Sequence, residues 1–248
     1  MLIKDVADGV HRIADSYVNC YVLEGETGVS LIDTGLPSMW SQLMEGLEEL
    51  NHAPAEISAI VLTHAHFDHV GCAARAKEEL QVPIWAHVED HYLAAHPYRY
   101  KHEKPRLIYP LRYPRAIRIL AAMTKAGALS VRGVQGLQQL EPNAILDIPG
   151  RPRIIFTPGH TAGHCALHLG DRSTVITGDA LVTLDPYTGH DGPQIVAGAA
   201  TADSAQALAS LDLLAATRAS TVLPGHGEPW LTGIQAAVDH AKTHHTTD

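Results

Sequence analysis

The sequence predicts an α/β protein in which two β-sheets pack against each other with helices on the outside. Three observations lead there. Short β-rich runs recur in both halves of the chain. Longer helical stretches separate and close those runs, so each half reads as strands followed by helix. The second-half runs each stop close to Gly or Pro, as tightly turned strands do.

In the first half, Val10 to Ile13, Tyr17 to Glu24 and Val29 to Ile32 read as strands, with Gly25-Glu26-Thr27-Gly28 as a hairpin turn. Ser38, after Asp33-Thr34-Gly35 and Pro37, is placed to cap a helix running to about Leu50. The continuous apolar run Ile57 to Leu62 fits a buried strand. Val70 to Leu80 is helical by pattern, and Val82 to Ala86 is a further strand. In the second half, Arg153 to Phe156, Cys165 to Leu169, Thr174 to Thr177 and Thr221 to Leu223 are strands. Ala202 to Ala216 is an Ala/Leu-rich helix starting near Asp203 or Ser204, and a helix from Gly233 to about His244 closes the chain. Between the halves, Pro97, Pro105, Pro110 and Pro114 break the rhythm. The segment 97–140 reads as a helical insertion over the sandwich, with one helix from about Arg115 to Ala126 and a second helical stretch toward Leu140. The whole of 1–248 is expected to be a single domain carrying that insertion.

The composition is that of an ordinary globular chain, 46 % hydrophobic and 18 % charged. No apolar run approaches the ~20 residues that span a bilayer. Met1 to Asp5 has no basic segment leading into an apolar one, so the reading is cytoplasmic and unprocessed. A net charge of -9 argues against a nucleic-acid partner. Against that balance, Arg99, Lys101, Lys104, Arg106, Arg112, Arg115 and Arg118 crowd one stretch with a single Glu103. Cys20, Cys72 and Cys165 have no paired spacing and read as buried thiols.

Histidine is the outlier, at 17 copies, so position must select the functional ones. Thr63-His64-Ala65-His66-Phe67-Asp68-His69 follows the apolar run directly. On a strand His64 and His66 face the same way and can approach one cation, while Asp68 and His69 point elsewhere once the chain turns. One short segment can then serve two neighbouring ions. Imidazole and carboxylate donors suit zinc, and iron, manganese or cobalt as well. Three further segments place a ligand-type residue after an apolar strand and beside glycine: His160 in Pro158-Gly159-His160-Thr161, Asp179 in Gly178-Asp179, and His226 in Pro224-Gly225-His226-Gly227.

These segments, with Leu31-Ile32-Asp33-Thr34-Gly35, resemble the metallo-β-lactamase superfamily over nearly the whole chain. The resemblance implies an αββα sandwich with metals at one edge. It implies His64, His66 and His160 on one metal, Asp68, His69 and His226 on the other, and Asp179 bridging both. Asp33 would hold the histidine loop by hydrogen bonds, and His164 would support the site from behind. Two divalent ions, zinc foremost, would lower the pKa of a bridging water from 15.7 toward ~7 and give hydroxide for attack, with Asp68 as the catalytic residue that orients it or shuttles its proton.

Departures within the family narrow the reaction. True zinc β-lactamases lack an aspartate bridge, so Asp179 argues against one. Flavodiiron-type members carry Glu where this chain has His66. Lactonases often place a tyrosine three residues after the bridge; here that residue is Val182, with Tyr187 as the nearest substitute. Glyoxalase II enzymes resemble Thr157 to Thr161 but not the continuation after Asp179. What remains is a dinuclear hydrolase of an ester, thioester or lactone of a small molecule. The alternative is a mononuclear iron oxygenase of the sulfur dioxygenase-like branch. For substrate contacts the sequence offers Arg112 and Arg115 on an apolar, basic lid, and Tyr187 and His190 in the loop after the bridge. The other reading of those arginines is a homodimer contact.

Overall fold

The computed structural model describes residues 1–244. Thirteen described strands and seven α-helices follow the chain as β1 (Leu2–Ala7), β2 (Val10–Asp15), β3 (Val18–Gly25), β4 (Gly28–Ile32), α1 (Met39–Glu49), β5 (Ile57–Val61), α2 (Ala73–Glu79), β6 (Ile84–Ala86), α3 (His91–Ala95), α4 (Tyr109–Arg112), α5 (Pro114–Lys125), β7 (Gln138–Gln139), β8 (Arg153–Phe156), β9 (Cys165–Leu169), β10 (Thr174–Gly178), β11 (Val182–Leu184), β12 (Asp191–Gln194), α6 (Ser204–Ala215), β13 (Thr221–Pro224) and α7 (Ile234–Thr243). One sheet has seven strands in the order β1-β2-β3-β4-β5-β6-β7. The other has four in the order β13-β10-β9-β8, and β11 pairs with β12 alone.

Strand alternation builds the layers. On β3, Tyr21 and Leu23 face inward and meet Ile154, Leu167, Ile176 and Leu223 of the second sheet, which forms the core between sheets. Cys20 and Val22 of the same strand face outward, into the apolar layer under α1, α2 and α5 with Leu43, Leu47, Ala76 and Ile119. On the far side, Ala166, Val175 and Val222 pack beneath α6 and α7 against Leu211, Leu214 and Val238. The order helix, sheet, sheet, helix is the expected sandwich.

Two parallel pairings bring the functional loops to one edge. The register of β4 on β5 sets Ile32 opposite Val61, so the chain leaves both strands side by side at Asp33 and Leu62. The register of β10 on β13 sets Gly178 opposite Pro224, so Asp179 and Gly225-His226 emerge together. The backbone of Cys165 donates to Thr63 O at 2.8 Å and joins the two sheets at that edge.

Several sequence expectations are corrected. His64 and His66 lie in the loop beyond β5, not on a strand. The helix expected from Val70 begins at Ala73. Ser38 sits at the N-cap of α1, but its side chain makes no capping bond. Asp203 does cap α6, accepting from Gln206 N–H at 2.8 Å. In the insertion, α5 matches the expected helix, whereas the second helical stretch toward Leu140 is extended chain ending in β7. Its backbone bonds run to other segments: Val134 N–H donates to Ala94 O and Leu140 N–H to Ala86 O. No described helix is long and apolar enough to cross a membrane.

Candidate metal centre

Asp179 occupies the middle of the edge. Its Oδ2 lies 3.2 Å from His226 Nε2, 3.4 Å from His160 Nε2 and 3.9 Å from His64 Nε2, and its Oδ1 lies 3.5 Å from His69 Nε2. His66 Nδ1 faces His160 Nε2 at 2.9 Å, and Asp68 Oδ2 is 3.3 Å from His226 Nε2. Three overlapping groups result: His64, His66 and His160; His64, His69 and Asp179; and Asp68, His69 and His226. All seven side chains are buried. A Cβ on Gly225 would overlap Asp179 Oδ1, so the turn beside His226 needs glycine for close approach.

The surrounding hydrogen bonds fix which nitrogen of each ring faces inward. The Thr63 hydroxyl donates to Asp33 Oδ2 at 2.8 Å, so at 3.1 Å it can only accept from His64 Nδ1–H. The Thr201 hydroxyl donates to Val196 O at 2.6 Å and in turn accepts from His160 Nδ1–H at 3.3 Å. His226 Nδ1–H donates to Tyr17 O at 2.7 Å, and His69 Nδ1–H to Asp33 Oδ2 at 2.9 Å. In each ring Nδ1 is held by an outward partner and Nε2 is turned to the cluster. His164 does the reverse service: Asp179 N–H donates to its Nε2 at 3.0 Å, so its Nδ1–H donates to Thr157 Oγ1 at 2.9 Å. That anchors the backbone that carries Asp179.

Burial above all holds His64 and His160 well below the ordinary imidazole range, and brings His66 down to about 4 and His164 to about 3. Burial also acts against charge on His69 and His226, but Asp179 overrides it, with Asp33 helping at His69 and Asp68 at His226. His69 stands at about 9 and His226 well above its usual value.

The donor set fits cations on an observation internal to the chain. His64, His66, His69 and His226 each have a buried Nε2 without a hydrogen-bond partner, and Asp179 Oδ1 is likewise unpartnered. Leaving one buried polar group unsatisfied costs ~1–3 kcal/mol, so five around one point are not a packing solution. Divalent cations bound by these imidazoles and carboxylates, displacing the Nε2 protons of His69 and His226, would satisfy them together.

One supporting residue has no sequence signal. Asp90, buried just before α3, accepts from Ala65 N–H at 2.9 Å, Thr161 Oγ1–H at 2.8 Å and Gly163 N–H at 2.8 Å. It ties the His64–His66 loop to the His160 loop. Burial raises its carboxyl to about 6 although all three bonds pull it down. Asp90→Ala is expected to weaken metal binding by about 10–100-fold, the usual effect of losing an outer partner. Competition with a chromogenic chelator would read this; unchanged affinity would show that the two loops hold their places without it.

The expected substrate residues separate. Tyr187 lines a narrow cleft at the cluster with His66, Asp68, Tyr100, Asp179 and His226, roofed by Leu120 and Met123 of the insertion. Its hydroxyl lies 3.1 Å from that of Tyr100. Arg112, Arg115 and His190 line a shallow recess with Tyr113 and Gly189 instead, and none of the three lines the cleft at the cluster. Arg115 is paired there with Asp191 at 2.5 Å and 3.0 Å.

The family description "Metallo-beta-lactamase superfamily" matches residues 13–226. The chain belongs to that superfamily. It is similar to a protein of Bacillus subtilis called probable metallo-hydrolase YflN, at 28 % identity over 92 % of this chain and 87 % of that one. Among solved structures it resembles the metallo-beta-lactamase family protein TTHA1429 of Thermus thermophilus, with TM-score 0.67 and 26 % identity over 93 % of this chain and 77 % of that one. It also resembles TTHA1623 in a di-iron-bound form, with TM-score 0.62 and 26 % identity over 91 % and 95 %. The chain is thus a member of a metallo-hydrolase superfamily, with His/Asp groups placed to hold metal.

Proposed function

We propose that this protein is a dinuclear metal-dependent hydrolase that cleaves an ester, thioester or lactone bond of a small molecule. The observation that carries the reading is the set of five unpartnered buried ligand atoms gathered at Asp179. His64, His66 and His160 would hold one cation, Asp68, His69 and His226 the second, and Asp179 both. Zinc suits these donors best. Iron and manganese fit them too, and the di-iron form of the TTHA1623 neighbour supports a two-metal occupancy. When bound, such ions supply Lewis acidity and a hydroxide nucleophile at neutral pH.

The side chains do the rest. Asp68 lies in the cleft with its carboxylate on one side of the cluster, placed to orient the attacking water or take its proton. Tyr187 lies in the same cleft and would contact the bound acyl group. Leu120, Met123 and Val196 form apolar walls that exclude bulk water around the reacting bond.

Elemental analysis of the purified protein is expected to find two divalent ions per chain. Chelation should abolish hydrolysis across a panel of thioesters, lactones and aryl esters, and added zinc should restore it. One iron per chain with oxygen uptake and no ester cleavage would overturn the proposal in favour of the mononuclear oxygenase.

A further inference from the structure

Three arginines of the basic insertion stand in unlike surroundings. Arg115 is neutralised by Asp191, and Arg112 lies 5.4 Å over the Tyr113 ring. Arg106 differs from both. Its guanidinium carbon lies 3.9 Å from the centroid of the Tyr100 ring, and that ring lies 4.2 Å from the ring of His66. A single aromatic ring therefore separates this cation from the metal-ligand cluster.

Arg106 is half-buried, yet among the described residues no carboxylate pairs with it. Its hydrogen bonding amounts to Nη2–H donating to Tyr100 O at 3.4 Å, the weak end of the range. Its Nε is buried with no partner among the described residues. Five N–H donors with one marginal bond leave most of a guanidinium's capacity unused. Stacking on Tyr100 fixes the plane of the fork, and a fixed fork is suited to a planar carboxylate held by two parallel bonds. Tyr100 lines the cleft at the cluster, so the guanidinium stacked on it lies one ring away from that cleft.

We propose that Arg106 is a specificity residue that anchors a carboxylate carried by the substrate at the end remote from the scissile bond. The inference rests on the hydrolase reading of the cluster. Leu120, Met123 and Val196 then face the apolar spacer between carboxylate and ester. One ring's breadth between Arg106 and His66 makes that spacer short. The substrate class is accordingly a half-ester or half-thioester of a short dicarboxylic acid, or a lactone bearing a carboxylate on a short arm.

The test compares monomethyl esters of succinate, adipate and suberate with the corresponding neutral dimethyl esters, on metal-loaded protein. Arg106→Met keeps an unbranched stem over Tyr100 and removes the charge. It is expected to lower kcat/KM for the best half-ester about 10–100-fold, mainly through KM, and to change the diester by less than about threefold. Arg106→Lys should recover part of the loss. Equal losses on both esters, or no loss on either, would mean that Arg106 merely packs against Tyr100 and would overturn the proposal. Calorimetry with the uncleavable N-methyl monoamides of the same acids gives a readout free of turnover. If wild type binds the monoamide and Arg106→Met does not, the carboxylate site stands even where no ester is cleaved, and the hydrolase reading alone fails. If the two proteins bind it equally, or wild type does not bind it, the carboxylate site fails whatever the esters do.

Discussion

Asp179→Ala is expected to reduce hydrolysis by on the order of 10³-fold or more, exceeding the 10²–10³ lost with a single oxyanion-stabilising donor. The same substitution should lower metal content below two ions per chain. The reason lies in the position of one carboxylate. Its two oxygens stand 3.2 to 3.9 Å from nitrogens of His64, His69, His160 and His226, so this one carboxylate touches both halves of the cluster. Without it, four imidazoles converge with no anion between them, and two cations placed there would repel each other unscreened. Asp179→Asn separates charge from shape. It keeps the backbone N–H bond to His164 and the volume beside Gly225, but loses the charge. Elemental analysis with a thermal melt on each variant reads the result. A variant that melts near wild type, retains two ions and keeps full activity would remove Asp179 from the bridging role.

The seven ligand candidates were legible because each signal is local: a ligand-type residue at the end of an apolar run and next to a turn. Parallel pairing of β4 with β5 and of β10 with β13 then converts those separate strand ends into one edge. Residues whose roles come from long-range packing left no such trace. Asp90 is an acid before a short helix, and nothing in its neighbours announces bonds to residues 65, 161 and 163. Arg106 looks like one of seven similar cations until Tyr100 and His66 are placed beside it. Strand β12 was invisible because Asp191-Gly192-Pro193-Gln194 holds the residues that least favour a strand. It forms because β11 is its antiparallel partner, with Val182 opposite Gln194. The stretch from Val131 to Leu140 has helix-like apolar spacing, yet Gly133 lies against the Ala95 carbonyl where a Cβ would not fit, and the chain stays extended.

Asp33→Asn should bind metal at least about 10–100-fold more weakly than wild type while still folding, and Asp33→Ala should also be destabilised by about 3–5 kcal/mol. Asp33 is almost fully buried and accepts from Thr63 N–H, Thr63 Oγ1–H and His69 Nδ1–H, each within 2.9 Å. Alanine leaves three buried donors without an acceptor. Its backbone would also be strained, since residue 33 has φ of 59°, a left-handed conformation that Asn and Asp tolerate better than alanine. Asparagine fits the backbone and the volume, so its fault is chemical. One of its two terminal atoms is now an NH2 donor. Asp33 Oδ1 accepts from the Thr63 backbone N–H, which can only donate, so the amide oxygen stays there and the NH2 takes the place of Oδ2, facing both the Thr63 hydroxyl and His69 Nδ1. There it turns the hydroxyl proton toward His64 Nδ1, which pushes the His64 proton onto Nε2, and it makes His69 Nδ1 an acceptor with the proton on Nε2, inside the cluster. Lone pairs meant for metal become N–H groups, as when an amide replaces the acid that orients a catalytic imidazole, a change worth on the order of 10⁴ in rate. Metal competition assays and thermal melts on the two variants separate the effects. Wild-type metal affinity in Asp33→Asn would mean that hydrogen bonds to Asp33 shape the loop without fixing the proton on either ring.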